Sequence, residues 1–234
     1  MINKLKSVEA EYKARMYKGL NINNTNAYVV IQDNPTLNLK HFTLFVKLYP
    51  QTCTSGNILV KGKDAFTVVG LESYLLGQAK WLNGWGIRLD LDDGILAWII
   101  DKEYLPNKWI TLASTYNEKD VCLYMNGVLV KSQALNKRLT QVPYPLYICY
   151  PGKQLLSYIS VVKIYNRALS DSEIKYLNSN PFEPLDKDHL VLDLTPASID
   201  MANGKWWDLS GKGNHGTIYN ATEVKLTEPE VSVI

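Results

Sequence analysis

Between residues 109 and 130 the chain alternates apolar and polar positions with a period of two. Ile110, Leu112, Ser114 and Tyr116 fall on one register, and Val121, Leu123, Met125 and Val128 resume it after a polar interruption. A helix would repeat near 3.6 residues, so this pattern predicts two half-buried strands. Asn126-Gly127 then sits between apolar runs, and both residue types tolerate the positive φ that a two-residue hairpin turn demands. The same grammar predicts strands over 27–31, 42–48, 57–61, 65–70, 86–91, 94–100, 145–149 and 158–165. Residues 7–18 also alternate and suggest a strand or extended arm, although Glu9 and Lys13, four apart, suit a frayed helix as well. Residues 71–86 break the strand grammar and are expected to form an inserted loop. A single helix is signalled: Ser170 as N-cap, Glu173 three residues on to close a capping box, and Ile174 and Leu177 as its apolar side. Many short strands with regular turns and little helical periodicity indicate an all-β sandwich.

Composition supports a folded core and narrows the partners. Hydrophobic residues make up 46% of the 234-residue chain, enough for a packed interior. Twenty-five basic residues against 23 acidic ones leave a formal charge of +2, so nothing in the charge balance favours nucleic acid or an anionic membrane. No apolar run reaches the length of a membrane helix, and residues 1–19 have no apolar stretch of the kind a secretion signal carries. Tyrosine is abundant, 15 against four phenylalanines, and aromatic rings with a polar tip suit strands and binding surfaces. Cys53, Cys122 and Cys149 have no metal-type spacing, and Cys122 and Cys149 fall inside predicted strands, where a thiol acts as a small apolar side chain.

Four segments carry a family resemblance. Trp109, Leu112, Ala113, Thr115, Tyr116 and Asn117, followed by Leu123, Tyr124, Met125, Asn126 and Gly127, resemble a signature of laminin-G-like, concanavalin A-like jelly rolls. The run from Ile164 to Ile174, with Asn-Arg-Ala-Leu-Ser at 166–170, resembles the last core strand of that family and its following helical turn. Leu20 to Ile31 resembles the first strand pair, and Trp207 to Thr217 resembles an Asp-x-Ser-Gly-Asn-Gly-Asn-His-Gly-Thr element. The resemblance implies a two-sheet antiparallel jelly-roll sandwich with one short helix after the last core strand. The last element normally comes first in the family; here it lies near the C-terminus. The organisation expected is therefore an N-terminal arm or edge strand at 1–19, a jelly-roll core at 20–182 and a permuted segment at 183–234. That segment would pack on its own sandwich or on a neighbouring subunit.

The resemblance also implies chemistry that the residues only partly support. Acidic positions usual in the family are Asn23, Asn26 and Ala27 in the first turn, and Ser160 and Val161 before the last core strand. Calcium wants several hard oxygen ligands, so the ion is not expected, with Asp208 and Asn214 as the donors left to hold one. Glucanases of this fold need closely paired carboxylates. Asp90, Asp92 and Asp93 read instead as solvated turn residues, and no nucleophile elbow or zinc motif includes His41, His189 or His215. Gly211-Lys212-Gly213 lacks phosphate-loop spacing.

Trp81 and Trp85, with Gln78 and Asn83, form a candidate glycan site, because sugars stack on aromatic faces while amides take their hydroxyls. Trp206, Trp207 and His215 are candidates for assembly contacts. Taken together, the expectation is a non-enzymatic recognition or structural protein of a virion or phage surface, partnered by copies of itself, other particle subunits or host glycans. A carbohydrate-binding adhesion module of a secreted or cell-surface protein is the alternative. Neither nucleic-acid binding nor membrane insertion is expected.

Overall fold

The computed structural model describes residues 18–52, 56–63, 72–79, 84–93, 96–101 and 106–225. Two antiparallel sheets pack face to face. The first contains β1 (Lys18–Ile22), β3 (Phe42–Pro50), β8 (Ile110–Tyr116), β9 (Asp120–Met125), β10 (Val128–Ala134), β12 (Ser157–Tyr165), β13 (Leu190–Leu194) and β17 (Thr222–Lys225). Its order is β10-β9-β8-β3-β12-β1-β17, and β13 pairs with the far half of β12, beside β1. The second contains β2 (Tyr28–Ile31), β4 (Gly56–Gly62), β5 (Glu72–Ala79), β6 (Gly84–Asp90), β7 (Leu96–Asp101), β11 (Leu146–Ile148), β14 (Ile199–Asp200), β15 (Lys205–Trp206) and β16 (Gly216–Tyr219). Its order is β14-β15-β16-β2-β11-β4-β5-β6-β7. The fold is the jelly-roll sandwich that the sequence implies.

The hairpin of β9 and β10 turns on Asn126 and Gly127, whose φ angles of 50° and 79° are those the Asn-Gly pair permits. Inward residues of both sheets, among them Leu44, Val46, Leu112, Leu123, Ile87, Ile148 and Trp206, make one core. A second, smaller core lies on the outer face of the first sheet. There α1 (Asp171–Ser179) lays Ile174 and Leu177 over Phe45, Ala113, Tyr124, Val161 and Tyr165. Both faces of β8 are consequently buried, which a simple in–out alternation does not anticipate. The predicted capping box is present: the Ser170 hydroxyl accepts from the Glu173 N–H, and the Glu173 carboxylate accepts from the Ser170 N–H.

Arg167, within the Asn-Arg-Ala-Leu-Ser run, ties this helix down. Its guanidinium donates to both Glu173 carboxylate oxygens, at 3.0 and 2.6 Å, and through Nε to Asp186 at 2.6 Å.

The segment after the helix joins the sheets of its own chain. β13 pairs with β12, β17 with β1, and β16 with β2, while β15 and β14 continue the second sheet outward. A buried pair, Lys163 on β12 and Asp193 on β13, fastens the first of these strands.

Three sequence expectations are corrected. Residues 72–79 and 84–90 are strands, not an inserted loop. Gly77 conceals the alternation of Tyr74, Leu76 and Gln78, yet a Cβ there would lie 2.7 Å from the Gly56 carbonyl oxygen on the adjacent β4. Residues 20–31 do not form a strand pair, because β1 and β2 belong to different sheets. Asp90 is buried at the end of β6, whereas Asp92 and Asp93 are exposed. The predicted elements at 7–17 and 65–70, and Cys53, lie outside the described residues.

Candidate functional site

Two of the residues singled out as a glycan site, Gln78 and Trp85, are buried. Gln78 and Trp85 are cross-strand partners on β5 and β6, but both face inward. Trp85 has no exposed surface and belongs to the main core, and Gln78 is buried beside it. A ring with no exposed surface cannot offer a face to a sugar. Trp81 and Asn83 lie outside the described residues.

The assembly candidates also separate. Trp206 is fully buried in the core, and its indole N–H donates to the Thr195 carbonyl at 2.8 Å, which makes it an internal anchor. Trp207 is 40% exposed, and its ring meets the exposed His215 ring edge-on.

The donors proposed for a cation do not fit one. Asp208 accepts from the Asp193 and Ser210 N–H groups on Oδ1, and from the Asn214 N–H and the Ser210 hydroxyl on Oδ2. Four donors use the lone pairs a carboxylate would offer a metal. Asn214 turns its amide N–H groups to Thr36 and Val191, so this Gly-rich element is a hydrogen-bonded lock between the tail and the sandwich. Among the described residues no group of three His, Cys, Asp or Glu side chains is placed to hold a metal ion.

A different surface has the character of a site: the outer face of the second sheet, around β16, β2 and β11. Its strands alternate one residue into the core and one outward. On β2, Val29 and Ile31 point in, leaving Tyr28 and Val30 outside. On β11, Leu146 and Ile148 point in and Tyr147 out, and on β16 Ile218 packs on the core while Thr217 and Tyr219 face out. Register completes the surface. Tyr219 lies opposite Tyr28, and Tyr147 opposite Val30.

The rings of Tyr28 and Tyr219 stack with centres 4.8 Å apart. Tyr147 stands 6.3 Å from Tyr28, and Tyr150 meets Tyr147 edge-on at 4.8 Å. Tyr219 is exposed and the other three are half-buried, so the row is held from below and open above. Partial burial, with Tyr150 and Tyr28 alongside, raises the Tyr147 phenol pKa, which keeps its O–H protonated as a donor.

Polar side chains flank the row toward the sheet edge. Lys205 on β15 donates to the Thr217 hydroxyl at 2.8 Å, and Asp200, its cross-strand partner on β14, receives the Asn203 amide at 2.8 Å. The Trp207 indole N–H reaches Asp200 at 3.2 Å. These hydrogen bonds, Asn203 first and then Trp207, hold the Asp200 carboxyl below its ordinary range. The arrangement offers flat apolar faces, phenolic hydroxyls, an ammonium and a carboxylate on one surface.

One end of the sandwich has a second concavity, a cavity of about 610 Å³ lined by His41, Asp92, Asn117, Glu118, Lys137 and Arg138 among others. Its charges are of both signs and partly satisfied locally, Lys137 meeting Asp93 at 2.7 Å. No aromatic ring other than the His41 imidazole is among its described lining.

Sequence reasoning missed Tyr28, Tyr147 and Tyr219. The signal present was the excess of tyrosine, with each of these residues alternating with a core residue on its strand. What brings them together is the pairing of β16 with β2 and of β2 with β11, which local pattern does not reveal.

The concanavalin A-like lectin/glucanases superfamily matches residues 23–175, and the chain belongs to that family. Solved structures of the same fold extend the comparison. A protein from Bacteroides ovatus ATCC 8483, whose proposed role is carbohydrate binding, superposes with a TM-score of 0.71 at 16% identity, over 92% of this chain and 61% of its own. The binding domain of Paraclostridial Mosquitocidal Protein 1 gives a TM-score of 0.52 at 19% identity, over 69% of this chain and 43% of its own. The binding domain of Botulinum Neurotoxin DC, solved in complex with SialylT, gives 0.52 at 14% identity, over 70% and 42%. This chain thus spans about three fifths of the first of these proteins and about two fifths of the other two. Among curated proteins nothing matches it.

Proposed function

We propose that this chain is a non-enzymatic carbohydrate-binding module and that its glycan lies along the tyrosine row of the second sheet. The observation that carries the proposal is the alignment of Tyr219, Tyr28, Tyr147 and Tyr150 on one open face. Aromatic faces take the C–H side of a sugar ring, and the Tyr hydroxyls, Lys205 and Thr217 take its hydroxyls. From β16 to β11 is two strand spacings, about 10 Å, a span that suits an oligosaccharide better than a single sugar. The carbohydrate-binding description of the Bacteroides structure and the SialylT complex of the toxin domain point the same way.

Three of the buried carboxylates are engaged in structure, which supports binding over hydrolysis. Glu72 pairs with Arg88, Asp193 with Lys163, and Asp208 is taken up by four donors. Each is engaged in holding strands together. Glycans are displayed at surfaces, so the setting proposed is outside the cell or on a virus or phage particle.

A glycan array followed by calorimetry tests the reading. Tyr28→Ala and Tyr219→Ala should each weaken binding of the array hits by about two- to tenfold, the loss expected for one stacking ring, with melting still cooperative. A chain that binds no glycan, or binds one equally well without either ring, would overturn it.

A further inference from the structure

The outer face of the first sheet carries another cluster of aromatic and polar side chains, on the opposite side of the sandwich from the tyrosine row. Lys47 on β3 is at its centre. It is only 7% exposed, with Thr111 of β8 and Val161 of β12 beside it in the sheet. Its ammonium lies 5.8 Å from the centre of the Trp109 ring. Tyr49, two residues along β3, meets Trp109 edge-on at 5.7 Å and Tyr158 at 5.5 Å. Next to Tyr158, on β1, is Asn21, whose side-chain oxygen receives the Gln51 amide at 3.5 Å. All three rings and both amides are half-buried, and so have one side toward solvent.

Every other deeply buried cation in the described residues has an oxygen partner. Lys61 reaches Asp33 at 2.6 Å and two carbonyls, Lys163 meets Asp193, and Arg88 meets Glu72. Lys47 has the ring face of Trp109 and, among the described residues, no anion. Burial lowers its pKa to about 8. A cation–π contact offsets only part of the cost of removing an ammonium from water. An anion delivered from outside would offset the rest.

We propose that Lys47, Trp109, Tyr49, Tyr158, Asn21 and Gln51 form a second ligand site, and that it takes a carboxylate-bearing sugar of the hexuronic acid type. The carboxylate pairs with the Lys47 ammonium. The sugar ring lies against the aromatic faces, and the two amides take its hydroxyls. A neutral sugar leaves the ammonium unpaired, and a bare inorganic anion leaves the rings unused, so both halves of the ligand are needed. This site does not depend on the tyrosine row.

Methyl glucuronide is the probe, with methyl glucoside and inorganic sulfate as comparisons. On the unmodified chain, acylation of Lys47 is followed by peptide mass spectrometry. Methyl glucuronide should protect Lys47 in a saturable way while the other two do not. In calorimetry, Lys47→Met should weaken methyl glucuronide binding at least about tenfold, as loss of a charge-assisted pair does, whereas Tyr28→Ala and Tyr219→Ala should leave it unchanged. The protection assay needs no variant, so a misfolded Lys47→Met chain would not rescue a failed proposal. No protection by methyl glucuronide, equal protection by sulfate or methyl glucoside, or full binding by a folded Lys47→Met chain would each overturn it.

Discussion

Tyr219 lies on Tyr28 with the two ring planes only 15° apart, although the residues come from opposite ends of the chain. Direct pairing of β16 with β2 places them so. The stack therefore helps seat the tail, and under the proposed function it would serve a second time as a binding surface. An aromatic pair contributes about 0.5–1.5 kcal/mol beyond its buried area. A double-mutant cycle with Tyr28→Ala and Tyr219→Ala, read by urea denaturation, should return a coupling in that range. Strictly additive losses would mean that the rings do not interact in solution.

Asp208 should matter to folding far more than a surface aspartate. Its two oxygens hold three backbone N–H groups and one hydroxyl, including the N–H of Asp193 on β13. Asp208→Ala leaves donors buried and unsatisfied, at a cost of about 3–5 kcal/mol. Asp208→Asn keeps acceptor capacity on one oxygen and should cost less. Equal stability of the Ala variant and the parent chain in urea would contradict the lock described above. The same experiment bears on calcium: adding or chelating the ion should leave the parent chain's melting temperature unchanged.

How much of this was legible can be judged residue by residue. The Asn126-Gly127 turn, the Ser170 cap and the strands on either side of them were readable because each depends on neighbours within a few positions. The family motifs then supplied the sandwich that alternation alone only suggested. Trp85 was misjudged because a tryptophan among glycines reads as a loop residue until its partners are known. Those partners, Gln78 on β5 and Asp101 on β7, are set by sheet register. Glycine obscures periodicity while permitting the close strand approach that makes the strand possible, as at Gly77. The tyrosine row and the Lys47 cluster share one obstacle: each is assembled from strands distant in sequence. Composition could say that tyrosine was plentiful, but not which tyrosines would meet.

Trp85→Ala distinguishes a core residue from a ligand contact. Removing a fully buried tryptophan costs about 3–5 kcal/mol through lost burial and the cavity left behind. The variant should melt earlier, and whatever fraction remains folded should bind glycan with unchanged affinity. Loss of binding without loss of stability would return Trp85 to the site from which its burial removes it.

Acid should loosen the helix end of the molecule first. Hydrogen bonds from Arg167, supported by those from Ser170, hold the Glu173 carboxyl at about 2 against partial burial. Burial pulls Asp186 upward, but hydrogen bonds from Arg167 and His189 outweigh it and leave that group at about 2 as well. Both folded values lie below the ordinary carboxylate range of about 4. The stabilisation is therefore complete above about pH 4–5 and is lost as pH falls toward 2. Arg167→Met removes the largest lowering contribution to each shift, leaving those of Ser170 and His189. Its stability deficit should be full at pH 7 and shrink on acidification, measured as the difference between the two urea midpoints. A deficit that stays constant down to pH 2 would place the effect in packing and not in charge.

Lys47 contributes a penalty where those carboxylates contribute stability, though in both cases stability rises with pH between the folded and unfolded values. Its folded pKa of about 8 lies below the value of about 10.4 expected in the unfolded chain. Between these values the unfolded state binds more protons, so stability rises with pH across that window. Below about pH 8 the folded protein carries a charged, largely buried ammonium with no anionic partner among the described residues, a penalty on the order of 1–3 kcal/mol. Lys47→Met keeps a straight apolar chain of similar length and removes the charge. It should therefore be more stable than the parent at pH 7, and the advantage should fade as pH approaches 10.4. Taking the difference between the two chains cancels the buried tyrosines Tyr74 and Tyr165, whose burial-raised pKa values make them titrate still higher. Methyl glucuronide should close the same gap at pH 7 by stabilising the parent chain and not the variant. A lysine that costs the fold stability until an acidic ligand arrives is expected of a recognition residue. If Lys47→Met instead proves less stable than the parent at every pH, the side chain is a packing element, and its place among the rings of Trp109, Tyr49 and Tyr158 has a structural cause alone.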